Sequence, residues 1–142
     1  MKKRLIFLVA ALLWTAFIWH NSLQPAELSG EASGNIVELV QPVLDAVGVP
    51  EEQHSFVVRK CAHMTEFAVL ALLWTGCLGE MPRGIILTAV FCLITAGVDE
   101  TIQRFVPDRG PSIFDVGIDT CGVLTGMLLI CIGHSILSNS RK

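Results

Sequence analysis

The segment from Ile85 to Val98 is almost wholly apolar and is followed at once by Asp99-Glu100-Thr101-Ile102-Gln103. A helix that crosses a bilayer needs about 20 residues, so the apolar run is too short by itself. Continued through the acidic group to Phe105 or Val106 it reaches that length, and two carboxylates and an amide then fall inside the membrane profile. Each ionisable group near the bilayer centre costs roughly 2.5–3.5 kcal/mol on insertion scales. A chain that keeps such groups must supply partners for them.

The rest of the chain has the same character. Of its 142 residues 52% are hydrophobic and only 16% charged, with a mean hydropathy of +0.61. That balance describes one small integral membrane domain, residues 1–142, better than any soluble class. A net charge of −3 without a long basic run argues against nucleic acid as a partner. Cys61, Cys77, Cys92, Cys121 and Cys131 stand singly in or beside apolar runs with no C-x-x-C, so they read as packing residues rather than as zinc ligands or a disulfide framework.

Four apolar segments of spanning length can be drawn, over residues 5–23, 57–79, 84–106 and 112–137, giving an all-α membrane protein. The first follows Lys2, Lys3 and Arg4 and has the basic start and apolar core of a signal peptide. No A-x-A site follows promptly, however, and Trp14, Trp19 and His20 read as interfacial anchors of a retained helix. Placing both termini in the cytoplasm of a bacterial-type cell gathers Lys2, Lys3, Arg4, Arg83, Arg141 and Lys142 on the inner face of the cell membrane. Arg59, Lys60, Arg104 and Arg109 then lie towards the outside and need a local explanation.

Between the first and second spans, Ile36, Val40, Val43 and Val47 recur at helical spacing, with Leu39 and Leu44 beside them. This predicts an extracytoplasmic amphipathic helix started by a Ser33 cap, kinked at Pro42 and ended by Gly48 and Pro50. Packing over the bundle is the simpler role for it, a gating lid the other. The pentapeptide Ala-Leu-Leu-Trp-Thr occurs at 11–15 and again at 71–75, but nothing else in the two segments aligns, so no internal repeat is assigned.

A rise of about 1.5 Å per residue assigns each polar group a depth. On the second span His63 lies about 6 Å and Glu66 about 10 Å deeper than Arg59. Spacings of four and three place those residues on one face, with Lys60 beside it. On the third span Gln103 shares a face with Asp99 and Glu100. On the fourth, Asp115 and Asp119 are followed on the same face by Gly122 and Gly126, a G-x-x-x-G pair that lets a neighbouring helix approach and so turns the acidic face into the bundle. The three stripes fall in the same outer third of the membrane. Arg109 hangs over them in the turn from Val106 to Pro111, and Asn21, Ser22 and Gln24 add hydrogen-bonding groups from the first span. Five carboxylates (Glu66, Asp99, Glu100, Asp115, Asp119) against Arg59, Lys60, Arg104, Arg109 and a titratable His63 make the group close to neutral.

Read together, Arg59-Lys60-x-x-His63-x-x-Glu66-Phe67, Asp99-Glu100-x-x-Gln103-x-Phe105-x-Pro107-x-Arg109 and Asp115-x-x-x-Asp119-x-x-Gly122-x-x-x-Gly126 resemble the VanZ-like membrane family. Asn21-Ser22-x-Gln24-Pro25 is similar to that family's first-helix ending. Two positions depart from its usual pattern: Phe67, where an aromatic with a hydroxyl is common, and Asp119, where an amide is common. The resemblance implies a multi-helix envelope protein, and the family's namesake is linked to resistance to teicoplanin, a lipid-tailed glycopeptide.

Several functions suit these residues. In a binding protein for a lipid-linked or amphipathic envelope ligand, Arg59, Lys60 and Arg109 would engage an anionic head, and Gln103, Asp115 and Asp119 sugar hydroxyls or amines. His63, Glu66, Asp99 and Glu100 complete that candidate site. In an intramembrane hydrolase or transferase, His63 with Glu66 or Asp115 would form the acid–base pair. Clustered carboxylates also suit Mg²⁺ or Ca²⁺, although no H-E-x-x-H, G-x-S-x-G or P-loop is present and neither metal nor cofactor is assigned. A purely structural charge network and proton-coupled transport are the other readings, the latter needing an oligomer. Membrane lipids are expected partners and a homo-oligomer is allowed.

Overall fold

The computed structural model describes residues 2–79, 81–107, 109 and 112–139. Among them it shows five α-helices and no strand: α1 (Lys2–Ser22), α2 (Ala26–Ala46), α3 (His54–Leu78, entered through a 3-10 turn at Glu51–Gln53), α4 (Pro82–Gln103) and α5 (Ile113–Asn139). Glu80, Asp108, Gly110, Pro111, Arg141 and Lys142 lie outside the described residues, and with them parts of the two short turns and the terminal basic pair used above for orientation.

Four stretches, α1, Glu51–Leu78, α4 and Ile113–Gly133, are each at least 21 residues long and apolar enough to cross a membrane. Their exposed faces carry side chains such as Leu13, Ile86, Ile94, Leu124 and Leu128. In water those faces would be a liability; in a bilayer they are the lipid-facing surface. Thr65, Thr101 and Thr125 sit on this exposed side, and each donates its hydroxyl to the carbonyl four residues earlier, so none of these three hydroxyls is left unpaired towards lipid.

Small and apolar side chains at helical spacing form the interior. Ala11, Thr15, Ile18 and Ser22 are the buried stripe of α1, and Thr88, Cys92, Thr95, Ala96, Asp99 and Gln103 belong to that of α4. They meet Phe67, Leu70, Ala71 and Trp74 of α3, with Trp74 stacked on Phe91 at 4.5 Å between centroids. Trp14 and Trp19, expected as interfacial anchors, donate to neighbouring helices, to the Glu66 carbonyl (2.9 Å) and the Thr95 carbonyl (3.3 Å).

The helix α3 is the hub, and its main partner is α5. A Cβ on Gly122 would lie 2.2 Å from the Met64 carbonyl oxygen, and one on Gly126 would lie 2.4 Å from that of Ala68. The two glycines thus bring α5 onto the backbone of α3, as the G-x-x-x-G spacing implied. Because both numbers rise together, α3 and α5 run parallel. The turn between α3 and α4 is equally tight: Gly79 has φ +91°, and a Cβ on Gly84 would meet the Gly79 carbonyl oxygen at 2.1 Å.

The segment between the first two spans is helical, as expected, but α2 starts at Ala26, directly after Pro25, so Ser33 is interior and not a cap. Ala26 to Ala32 contains mostly good helix formers, and Gly30 alone is too weak a breaker to delay the start. The helix runs through Pro42 and ends where expected: Gly48 has φ +78°, and Val49 N–H bonds the Leu44 carbonyl across it. Buried His54 bonds the Val49 carbonyl at 2.9 Å and lies 3.5 Å from Asp45, tying the end of α2 to the start of α3.

Candidate functional site

The C-terminal ends of α1 and α4 meet the N-terminal ends of α3 and α5 at one end of the bundle, hereafter its polar end. Every sequence-predicted site residue is there, and they fall into three groups.

Asp99 is fully buried because it continues the inward stripe of α4. Ser22 Oγ donates to its Oδ1 at 2.5 Å and Gln103 Nε2 to its Oδ2 at 2.9 Å. His63 of α3 and Asp119 of α5 converge on it: one potential ligand atom from each of the three side chains lies within 4.8 Å of the others. His63 Nδ1 stands 3.7 Å from Asp119 Oδ1. Asp119 is fully buried, and neither of its oxygens accepts a hydrogen bond from the described residues.

A second group lines a cavity of about 360 Å³ that includes Asn21, Gln24, Arg59, His63, Glu66 and Arg109. Asn21 Nδ2 donates to Glu66 Oε1 at 2.8 Å, so Glu66 is held by the end of α1. Burial, and then the like charge of Arg59, lowers the pKa of Arg109 from the ordinary arginine value. Two guanidiniums lining one cavity suit an anionic group there.

The third group is taken up by helix ends and interhelical pairing. Lys60 is hydrogen-bonded and ion-paired to Asp115 and lies 5.1 Å over the Phe56 ring. Glu100 Oε2 accepts the Ser112 N–H at 2.8 Å, while Ser112 Oγ caps α5 by accepting the Phe114 N–H. The adjacent carboxylates therefore part company: Asp99 enters the buried cluster and Glu100 secures the start of α5.

The sequence of the VanZ/LLP1 family matches residues 7–134, nearly the whole chain. The chain belongs to the VanZ/LLP1 family. Comparison with curated proteins and with solved structures gives no match. This VanZ/LLP1 protein is thus a multi-pass helical membrane protein, and the polar residues singled out in its sequence meet at one end of its bundle. His63 shared a face with Arg59 and Glu66 in sequence, and the pocket keeps those three together. Its approach to Asp119 has no counterpart in the spacing of any one helix, and neither has the Lys60–Asp115 pair; both depend on how α5 is set against α3. His54 had no sequence signal beyond its place before an apolar run.

Proposed function

We propose that this VanZ/LLP1 protein binds a lipid-linked or amphipathic envelope ligand at the polar end of its bundle, facing outward from the cell membrane. We infer that it contributes in this way to resistance to teicoplanin-type glycopeptides. One observation carries the reading. The polar cavity shares Phe17, Ile36, Ala62 and Glu66 with an apolar groove of about 510 Å³, whose other lining residues include Val40 and Leu44 of α2 and Val57 and Val58 of α3. A charged compartment that opens into a greasy one under an amphipathic helix matches a ligand with an anionic head and an acyl or prenyl tail. Arg59 and Arg109 supply the head contacts, and Asn21, Gln24 and Glu66 offer donors and an acceptor to sugar or peptide groups. Lys60 and Asp115 are occupied with each other and are not assigned to the ligand.

The test is native mass spectrometry of the protein purified with extracted envelope lipids, together with teicoplanin susceptibility of cells carrying each variant. Wild type is expected to retain an anionic amphipathic lipid, and Arg109→Ala to lose it at normal protein accumulation, with the cells becoming susceptible. Retention of the same lipids by Arg59→Ala/Arg109→Ala would refute the reading. Appearance of a new lipid species on incubation would replace it with the enzymatic one, in which His63 and Glu66 work as acid and base.

A further inference from the structure

The His63–Asp99–Asp119 cluster at the floor of the polar end is unlike the pairs around it. Lys60 neutralises Asp115, Asn21 holds Glu66, and the Ser112 amide meets Glu100. Asp119, by contrast, is fully buried with two oxygens that accept no hydrogen bond from the described residues, and it faces a second buried carboxylate. His63 Nδ1 is buried without a hydrogen bond among the described residues as well. Two buried carboxylates at such a separation repel each other, and leaving either without a partner costs several kcal/mol. A charge of +2 placed among the three side chains removes both penalties.

We infer that His63, Asp99 and Asp119 form a binding site for a divalent cation of the Mn²⁺-to-Zn²⁺ series. One imidazole nitrogen and two carboxylate oxygens favour that series over Mg²⁺ or Ca²⁺, which prefer all-oxygen shells. The geometry is close to what such an ion needs. Ligands about 2.1 Å from a tetrahedral metal are about 3.4 Å apart, against 3.7 Å for His63 Nδ1 to Asp119 Oδ1 and at most 4.8 Å for the widest pair of the cluster. Binding therefore requires the His63–Asp119 pair to close by about 0.3 Å and the widest pair by about 1.4 Å at most. The outer shell is already in place: Ser22 and Gln103 each donate one hydrogen bond to Asp99, which orients the carboxylate and leaves a lone pair on each oxygen for a metal. Three protein ligands leave a coordination position open, and His63 is also part of the cavity wall, so an ion held here borders the pocket. The site shares His63 with the proposed ligand pocket but does not depend on what that pocket binds.

The full-length protein, purified in detergent and stripped with EDTA, is titrated calorimetrically with Zn²⁺ and separately with Mn²⁺, without envelope lipid. One ion per chain is expected, with Mg²⁺ failing to compete. Asp119→Asn and His63→Gln should weaken binding by ~100-fold or more, and Ser22→Ala, which removes only an outer-shell donor, by about tenfold. Spin-echo spectroscopy of the Mn²⁺-loaded wild type should show coupling to one imidazole nitrogen, a result that needs no variant to fold. Failure of the stripped wild type to bind either ion, Mn²⁺ without nitrogen coupling, or unchanged affinity in Asp119→Asn would each overturn the assignment. Because no lipid is present, failure here leaves the ligand reading to its own test.

Discussion

Replacing Gly122 by alanine tests the closest helix contact in the bundle. The new Cβ would sit 2.2 Å from the Met64 carbonyl oxygen, whereas such carbons essentially never come nearer than 3.0 Å and are ordinarily at 3.4 Å or beyond. The obstructing atom is backbone, so no side-chain rotation relieves it. The axis of α5 must withdraw by about 0.8 Å to be tolerated and about 1.2 Å to be comfortable. A gap of 0.5–1 Å already forfeits about a quarter to a half of each dispersion contact, and the whole α3–α5 seam is affected. Overpacking of this kind costs about 1–3 kcal/mol, and the upper half of that range is expected here because the clash is with a helix backbone. Gly117→Ala in the same helix is the control. Nothing lies within 4 Å of a Cβ there, so the change should be neutral or stabilise by a few tenths of a kcal/mol through helix propensity. Thermal unfolding of both variants in the same detergent measures the difference. Equal midpoints for Gly122→Ala and Gly117→Ala would mean that α5 does not pack backbone-close on α3.

Three further outcomes follow from the pairing at the polar end. Lys60→Met should destabilise by about 2 kcal/mol or more by stranding Asp115, and Lys60→Met/Asp115→Leu should recover much of the loss in a double-mutant unfolding cycle. Glu100→Ala should cost about 1 kcal/mol by freeing the Ser112 amide, whereas Glu100→Gln, which keeps an acceptor oxygen, should be close to wild type by the same measurement. Trp14→Phe should cost only about 0.5–1 kcal/mol, since the Glu66 carbonyl it releases belongs to a continuous helix, and blue-shifted fluorescence from Trp14 in the wild type should vanish with it.

What could be read in the sequence was what a single helix determines. Span lengths come from apolar runs, and the inward direction of Asp99 comes from its phase with Thr88, Cys92 and Thr95, so both were accessible before any packing was known. The end of α2 was legible because Gly48 leaves few alternatives at that point, whereas its start was not, because Ser33 is as compatible with a helix interior as with a cap. Partner choice was not legible. Spacing tells which residues share a face and depth tells which faces overlap, yet the rotation of each helix decides whether His63 meets Glu100, Asp115 or Asp119. The indole partners were hidden for the same reason: Trp14 has the composition signature of an interfacial anchor, and only the neighbouring helices reveal a carbonyl within its reach.

The missing information is concentrated in one contact. Gly122 against Met64 and Gly126 against Ala68 fix α5 both in register and in rotation on a parallel α3. Once that is set, the residues one and two turns earlier on α5, Asp119 and Asp115, arrive at His63 and Lys60. The two pairs differ in chemistry because the partners differ: a lysine closes the outer pair by itself, while histidine leaves the inner one with an acidic surplus beside Asp99. A one-residue slip of α5 would turn both aspartates by about 100° out of the seam. The same slip would drive a larger residue, Cys121 or Val123, against the Met64 carbonyl, and the backbone approach forbids it. The glycines therefore specify the polar site as strictly as its own charged residues do. Variants at Gly122 should accordingly lose divalent-ion binding, which needs Asp119 of α5, even where enough stability remains to purify the protein.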